Sequence, residues 1–291
     1  MENCEQDNNP QNTGTNKVGK LILVCTPIGN MGDFSPRGEQ NLRDCDFIAA
    51  EDTRVALKLL NKFQIKKPML SYFEHNKRDK GEYICNRMLG GEVCCLVSDA
   101  GMPAISDPGE DLVARCAQLG IPVECVPGPS AVVAAVALSG LPSGRFTFEG
   151  FLSMSKKSRF EHLQSIVSET RTMVFYEAPH KLRATLRDLY NTLGERRISV
   201  VREITKIHEE VIRTTLSEAA KLYSSGNAKG EFVLVIEGAT PAPPPEMTVE
   251  QAVSIASGYL EDGMSVSEAA KAAAADTGVK KSDIYKLICE K

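Results

Sequence analysis

Residues 98–109 read Ser98-Asp99-Ala100-Gly101-Met102-Pro103-Ala104-Ile105-Ser106-Asp107-Pro108-Gly109, and this stretch decides the fold. An apolar run, Val93-Cys94-Cys95-Leu96-Val97, feeds straight into it. A helical pattern from Glu110 to Leu119 follows, and Gly120 suits its C-terminal stop. Strand, loop and helix in that order place the loop at the carboxyl end of a strand in an α/β sheet, where such folds bind ligands. Pro103 and Pro108 stiffen the loop, while Gly101 and Gly109 let the backbone approach a ligand. Two carboxylates, Asp99 and Asp107, suit ribose hydroxyls, an amine or a sulfonium cation. The plainer alternative is a turn in which Asp107 merely starts the next helix.

The same alternation extends on both sides. Leu21-Ile22-Leu23-Val24 reads as a buried strand followed by turn chemistry at Thr26-Pro27-Ile28-Gly29-Asn30. Phe47-Ile48-Ala49-Ala50 leads into Glu51-Asp52-Thr53-Arg54 and an amphipathic helix ending near Phe63. Residues 122–126 give a later strand, and Val132 to Leu138 an apolar core helix. Repeated βα units predict a mainly parallel sheet. Ser139-Gly140-Leu141-Pro142-Ser143-Gly144 marks a boundary. Beyond it, strand-like runs at 146–151, 172–176, 198–201, 209–215 and 232–236, with helical patterns near 158–167 and 181–193, predict a second, mixed α/β domain. Pro241-Ala242-Pro243-Pro244-Pro245 reads as a stiff linker. Helix, Gly278 turn and helix then resemble a helix-turn-helix, with a helical cap or dimer contact as the alternative. The expected organisation is a disordered tail over 1–18, α/β domains over 19–139 and 140–239, a linker over 240–247 and a helical module over 248–291.

Composition excludes several classes. No apolar stretch approaches membrane-spanning length, and the Asn- and Gln-rich N-terminus is no signal peptide. Nine cysteines, none in a Cys-x-x-Cys pair, fit buried reduced thiols of a cytoplasmic protein better than disulfides. Four scattered histidines give no zinc-ligand spacing, so no metal site is expected. His180, at a helix start, could lie near a ligand, while His162 reads as surface. Neither a Rossmann glycine fingerprint nor a P-loop is present. The net charge is −4, yet residues 153–213 carry twelve Lys and Arg against eight Asp and Glu, including Lys156, Lys157, Arg159, Arg196, Arg197, Arg202 and Lys206. A local basic patch and an ordinary solvated face both fit that excess.

Five segments carry a resemblance when set beside the loop at Ser98. They are Thr26-Pro27-Ile28-Gly29-Asn30, Glu51-Asp52-Thr53-Arg54, Pro127-Gly128-Pro129-Ser130-Ala131, Phe175-Tyr176-Glu177-Ala178-Pro179-His180 and Arg202-Glu203-Ile204-Thr205-Lys206. In this order the chain resembles the small-subunit ribosomal RNA methyltransferases of the tetrapyrrole-methylase-like superfamily, over roughly Gly19 to Gly238. The resemblance implies two α/β domains with S-adenosylmethionine folded into the cleft between them. It implies cofactor contacts at Pro27, Ile28, Asp99, Met102, Ser130 and Ala131, with Phe175 and Gly230 from the second domain. The implied reaction is 2′-O-methylation of a cytidine in small-subunit rRNA, free or assembled in the subunit, without a metal.

The sulfonium carries the activation, so the protein mainly aligns the reactants and takes the hydroxyl proton. Glu51, Asp52 and Glu203 are candidate bases by chemistry. Arg54 could hold a phosphate bidentately and Lys206 as a point charge; a capped helix start is the plainer reading of Glu51–Arg54. A tetrapyrrole or diphthamide-pathway methyltransferase and a non-catalytic ribosome assembly factor are the competing readings. A homodimer is expected, because the superfamily is commonly dimeric and Val132 to Leu138 needs cover. The helical module is expected to dock RNA or the ribosome.

Overall fold

The computed structural model describes residues 18–225, 228–241 and 247–290. The expected tail and most of the proline linker lie outside the described residues. The chain divides into two compact units, Met1–Ala239 and Thr240–Lys291.

The first unit contains two five-stranded sheets. In the first, β1 (Lys20–Val24), β2 (Phe47–Ala50), β3 (Met69–Ser71), β4 (Val93–Val97) and β5 (Val123–Val126) are all parallel, in the order β3-β2-β4-β1-β5. Alternation along β1 sorts its side chains between two cores. Ile22 and Val24 pack with α1 (Pro36–Asp44) and α2 (Thr53–Lys62) through Leu42, Leu59 and Leu60. Leu21 packs with α3 (Lys77–Leu89) and α4 (Gly109–Gln118) through Ile84, Met88 and Leu112. Burial on both faces explains why these strands read as continuous apolar runs.

The second sheet is mixed. It runs β6 (Phe146–Phe151), β7 (Thr172–Glu177), β10 (Phe232–Ile236), β8 (Arg197–Arg202), β9 (Glu210–Thr215), with only the β6–β7 pair parallel. One face is covered by α6 (Lys156–Ser165), α7 (Leu182–Leu193) and α8 (Leu216–Leu222), through Leu163, Leu186, Leu189 and Leu216. The other face is covered by α5 (Ala131–Ser139), the helix that leaves the first sheet after β5. Val132, Ala135 and Val136 of α5 pack on Val174, Val201, Val233 and Val235. A boundary at residue 139 therefore separates α5 from the sheet it covers. Within Val132–Leu138 this contact covers Val132, Ala135 and Val136 and leaves Val133 60% exposed.

Among the described residues six thiols are buried, as expected of most of them, while Cys125, placed with the buried ones by its strand context, and Cys289 are exposed. His162 is half-buried and bonds Glu149 at 2.9 Å, which corrects its reading as surface. The second unit holds α9 (Val249–Glu261), α10 (Val266–Thr277) and α11 (Lys281–Cys289) around Ala252, Ala256, Ala270, Ala273 and Ile284. Reciprocal capping boxes start α9 at Thr248/Gln251 and α10 at Ser265/Glu268, and Gly278 in left-handed conformation ends α10. Residues 247–290 carry four lysines and seven carboxylates, a poor balance for gripping phosphates.

Ala135 is wholly buried between α5 and the second sheet. Ala135→Leu should overpack that contact and cost about 1–3 kcal/mol, read as a lower denaturant midpoint in urea unfolding.

Candidate active site

Four loops leave the carboxyl edge of the first sheet, and hydrogen bonds tie them together. Thr26 and Gly101 exchange backbone bonds of 2.9 and 3.1 Å, joining the loop after β1 to that after β4. Gly101 sits at φ +83°, and a Cβ there would press on the Ile28 side chain at 3.3 Å. The Cys25 thiol donates to the Pro129 carbonyl at 2.9 Å, bringing in the loop after β5. The Asp52 amide donates to the Asp99 carboxylate at 3.1 Å, bringing in the loop after β2.

Asp107 holds its own loop. Its carboxylate accepts from the Ala104 amide at 2.9 Å and the Gly109 amide at 2.7 Å. Ala104 and Ser106 adopt positive φ of 69° and 66°, conformations costly outside glycine that persist only when neighbours enforce them. Asp107 thus anchors the turn, and it also lines a cavity.

That cavity, of about 390 Å³, lies where these loops meet the second sheet. Of the sequence-predicted residues, Ile28, Glu51, Asp99, Met102, Ser130 and Ala131 line it together. The opposite wall comes from Phe151, Tyr176, Glu177, Ala178, Pro179, Ile204, Glu231, Phe232 and Val233. Glu177 is almost fully buried; it accepts from the Ala178 amide at 2.8 Å and from the Thr185 hydroxyl. Arg159 in turn donates to Thr185 at 2.9 Å and Asp188 at 2.8 Å, so its charge is spent inward.

Three of the expected cofactor contacts lie outside the cavity lining. Phe175 is fully buried under α6 and α7, because alternation along β7 turns it away and puts Tyr176 with α5. Pro27 is buried at the base of its loop, and only Ile28 reaches the cavity. Gly230 is not in the lining. At φ +95° it makes room for Glu203, whose Cγ would lie 2.6 Å from a Cβ there. His180 is exposed and also outside the lining.

The charged candidates divide sharply. Asp52 caps α2, accepting from the Arg54 amide at 2.8 Å, and pairs with the Arg54 guanidinium at 2.6 Å. Those bonds hold its carboxyl at about 2. Arg54 is 88% exposed, with Nε and Nη2 facing Asp52 and its Nη1 side turned elsewhere. Lys206 bonds Glu203 at 2.9 Å and Glu231 at 3.0 Å, so its charge is already matched. That bond to Lys206 pulls Glu203 below its ordinary value. Glu51 behaves in the opposite way: burial, then the nearby charges of Asp99 and Asp107, push it upward. Burial also raises Asp99 and Asp107. The cavity lining contains five carboxylic residues and, among the described residues, no Lys, Arg or His. Such a cavity favours a cation and repels phosphate.

The sequence of the Tetrapyrrole (Corrin/Porphyrin) Methylases matches residues 20–220. A Synechocystis protein named ribosomal RNA small subunit methyltransferase I is 44% identical over 274 residues, 94% of this chain and 98% of its own. The chain belongs to this methylase family. A Thermotoga maritima relative of the same name is 46% identical over 221 residues, 76% of this chain but 99% of its own, so it has no counterpart to about a quarter of this chain. Among solved structures, diphthine synthase superposes with a TM-score of 0.61 over 77% of this chain and 92% of its own, at 16% identity, which shows the shared methylase fold.

Because Glu51, Asp99 and Asp107 are all raised, a cation should bind best once they are ionised. Affinity for S-adenosylmethionine should fall as pH is lowered through and just above the usual carboxylate range, with proton release on binding. Calorimetry in buffers of different ionisation heat would detect both. Asp99→Asn should flatten the pH dependence.

Proposed function

We propose that the protein transfers a methyl group from S-adenosylmethionine to a ribose 2′-hydroxyl of a cytidine in small-subunit ribosomal RNA. The observation that carries the reading is a cavity whose charged lining residues are all carboxylates, enclosed by loops of small residues, in a chain 44% identical to a small-subunit rRNA methyltransferase. Its residues fit the cofactor. Gly101 and Ser130 leave room for a folded ligand, and Asp99, Glu51 and Asp107 supply the anionic surroundings that a sulfonium and an ammonium require. The bound cofactor supplies an activated methyl group. Identity of that order with an rRNA enzyme, against 16% for diphthine synthase, favours rRNA over a tetrapyrrole or diphthamide-pathway substrate. The intact lining likewise favours an enzyme over a non-catalytic assembly factor, acting in the cytoplasm where ribosomal subunits are made.

Of the three candidate bases, Glu51 is best suited to accept the hydroxyl proton. It lines the cavity, and its upward shift brings it nearer neutrality, where a general base works best. Asp52 and Glu203 are held ionised by Arg54 and Lys206 and are correspondingly weak bases. The acidic cavity keeps RNA phosphates outside while admitting a neutral ribose. Arg54, exposed beside the mouth, offers its Nη1 side to a phosphate at the rim. Lys206 positions Glu203 and Glu231 instead of contacting RNA.

The test is methyl transfer from labelled S-adenosylmethionine to small ribosomal subunits from cells lacking the protein, with the product mapped by ribose methylation. Absence of a new 2′-O-methyl group would overturn the reading. Glu51→Gln should lower kcat by about 10²–10⁴ and remove the acidic limb of the pH–rate profile. That limb falls as pH decreases, since Glu51 must be ionised. Arg54→Ala should raise KM for subunits while leaving cofactor affinity within about twofold, and Arg54→Lys should restore only part of the loss.

A further inference from the structure

Phe151 lines the cavity, yet 53% of it remains exposed at the end of β6. It leans on Tyr176, with ring centroids 5.5 Å apart, and Tyr176 in turn meets Phe148 at 4.9 Å. An aromatic cluster therefore leaves part of the Phe151 ring exposed at the cavity. The backbone is built to aim it there. Pairing between β6 and β7 shifts register between Phe148 and Gly150, and Gly150 takes φ +63°. Bulges of this kind re-aim side chains beside active sites.

Gly150 also comes close to the loop after β4, since a Cβ there would meet the Ser106 hydroxyl at 3.5 Å. The neighbouring Ile105, 49% exposed, lines the same cavity. Two partly exposed apolar side chains thus belong to one cavity whose interior is acidic. Beyond Phe151, the chain surfaces through Met154 and begins α6 with exposed Lys156 and Lys157, followed by Phe160 at 62% exposure. Among the described residues Lys156 makes no ion pair, and Lys157 reaches Glu161 only at 3.9 Å.

We propose that Phe151 is a positioning residue that stacks the target nucleobase at the cavity mouth against Ile105, while Lys156 and Lys157 hold the flanking phosphates. The inference rests on the rRNA methyltransferase reading above. Single-stranded bases are held by stacking on aromatic rings, and a ribose inside the cavity leaves its base at the rim. The occupant assigned is the substrate base, since a ribose held in the cavity leaves its base beside the half-exposed Phe151 and Ile105; the cofactor's adenine is the alternative that the affinity measurement distinguishes.

The experiment compares wild type, Phe151→Ala, Phe151→Trp and Lys156→Ala/Lys157→Ala for methylation of unmodified small subunits, binding of those subunits, and cofactor affinity by calorimetry. Phe151→Ala should lower kcat/KM by roughly 5- to 150-fold, the range that loss of one base stack spans. Its cofactor affinity should stay within about twofold and its thermal midpoint near that of wild type. Phe151→Trp should recover most of the activity. The double lysine variant should weaken subunit binding and reduce its salt dependence. Unchanged kcat/KM in Phe151→Ala overturns the proposal. So does cofactor affinity that falls in parallel with activity, which would assign the ring to adenine, or failure of Phe151→Trp to rescue a folded protein. If wild type binds subunits but transfers no methyl group, the methyltransferase reading fails. The rim assignment is then decided by whether Phe151→Ala still weakens that binding.

Discussion

The packing of α5 on the second sheet is the contact on which the rest depends. The helix is apolar on nearly every side, and it emerges from β5 of one sheet only to bury Val132, Ala135 and Val136 against valines of the other. A helix this apolar gains by covering its broadest face, and burying that face on the second sheet ties the two sheets together although Val133 stays 60% exposed. Ser130 and Ala131, at its start, line the cavity as a direct result. The same crossing carries the loop after β5 to a place where the Cys25 thiol can fasten it to the loop after β1.

Electrostatics then sets the cavity apart from the surface around it. Five carboxylic residues line a space that favours positive charge, while the basic residues noticed in the sequence are mostly committed elsewhere. Arg159 serves Thr185 and Asp188, Arg197 serves Glu237, and Lys206 serves Glu203 and Glu231. Much of the basic excess over residues 153–213 is therefore spent in internal pairings; among the described residues Lys156, Lys181 and Arg183 make no ion pair, and Lys157 reaches Glu161 only at 3.9 Å.

The first sheet was legible because its strands are buried on both faces and end in loops of glycine, proline and small polar residues. The loop at Ser98–Gly109 announced its place for that reason. Side-chain direction was less legible. Phe175 and Tyr176 are adjacent in one motif, and only the pairing of β7 shows which of them faces α5. Gly230 drew notice as a ligand contact, whereas its positive φ serves the fit of Glu203. Phe151 gave no signal, because a register shift is a property of two strands and not of either alone. The pairing of α5 with the second sheet was equally hidden, since periodicity tells that a helix must be covered but not by what.

The position of β10 has a consequence for synthesis. This strand lies between β7 and β8, although it is the last of the ten to be made. Ser139 ends α5 and Ile236 ends β10, so the helix waits for the centre of its covering sheet through nearly a hundred further residues. At ordinary elongation rates that delay is on the order of 5–20 s. Until then, a nascent chain with a finished first sheet would carry a valine- and alanine-rich helix still lacking Val233 and Val235 of its cover. Such an intermediate is a natural client for chaperones that shield apolar segments, and slower translation before residue 236 would prolong its exposure to aggregation.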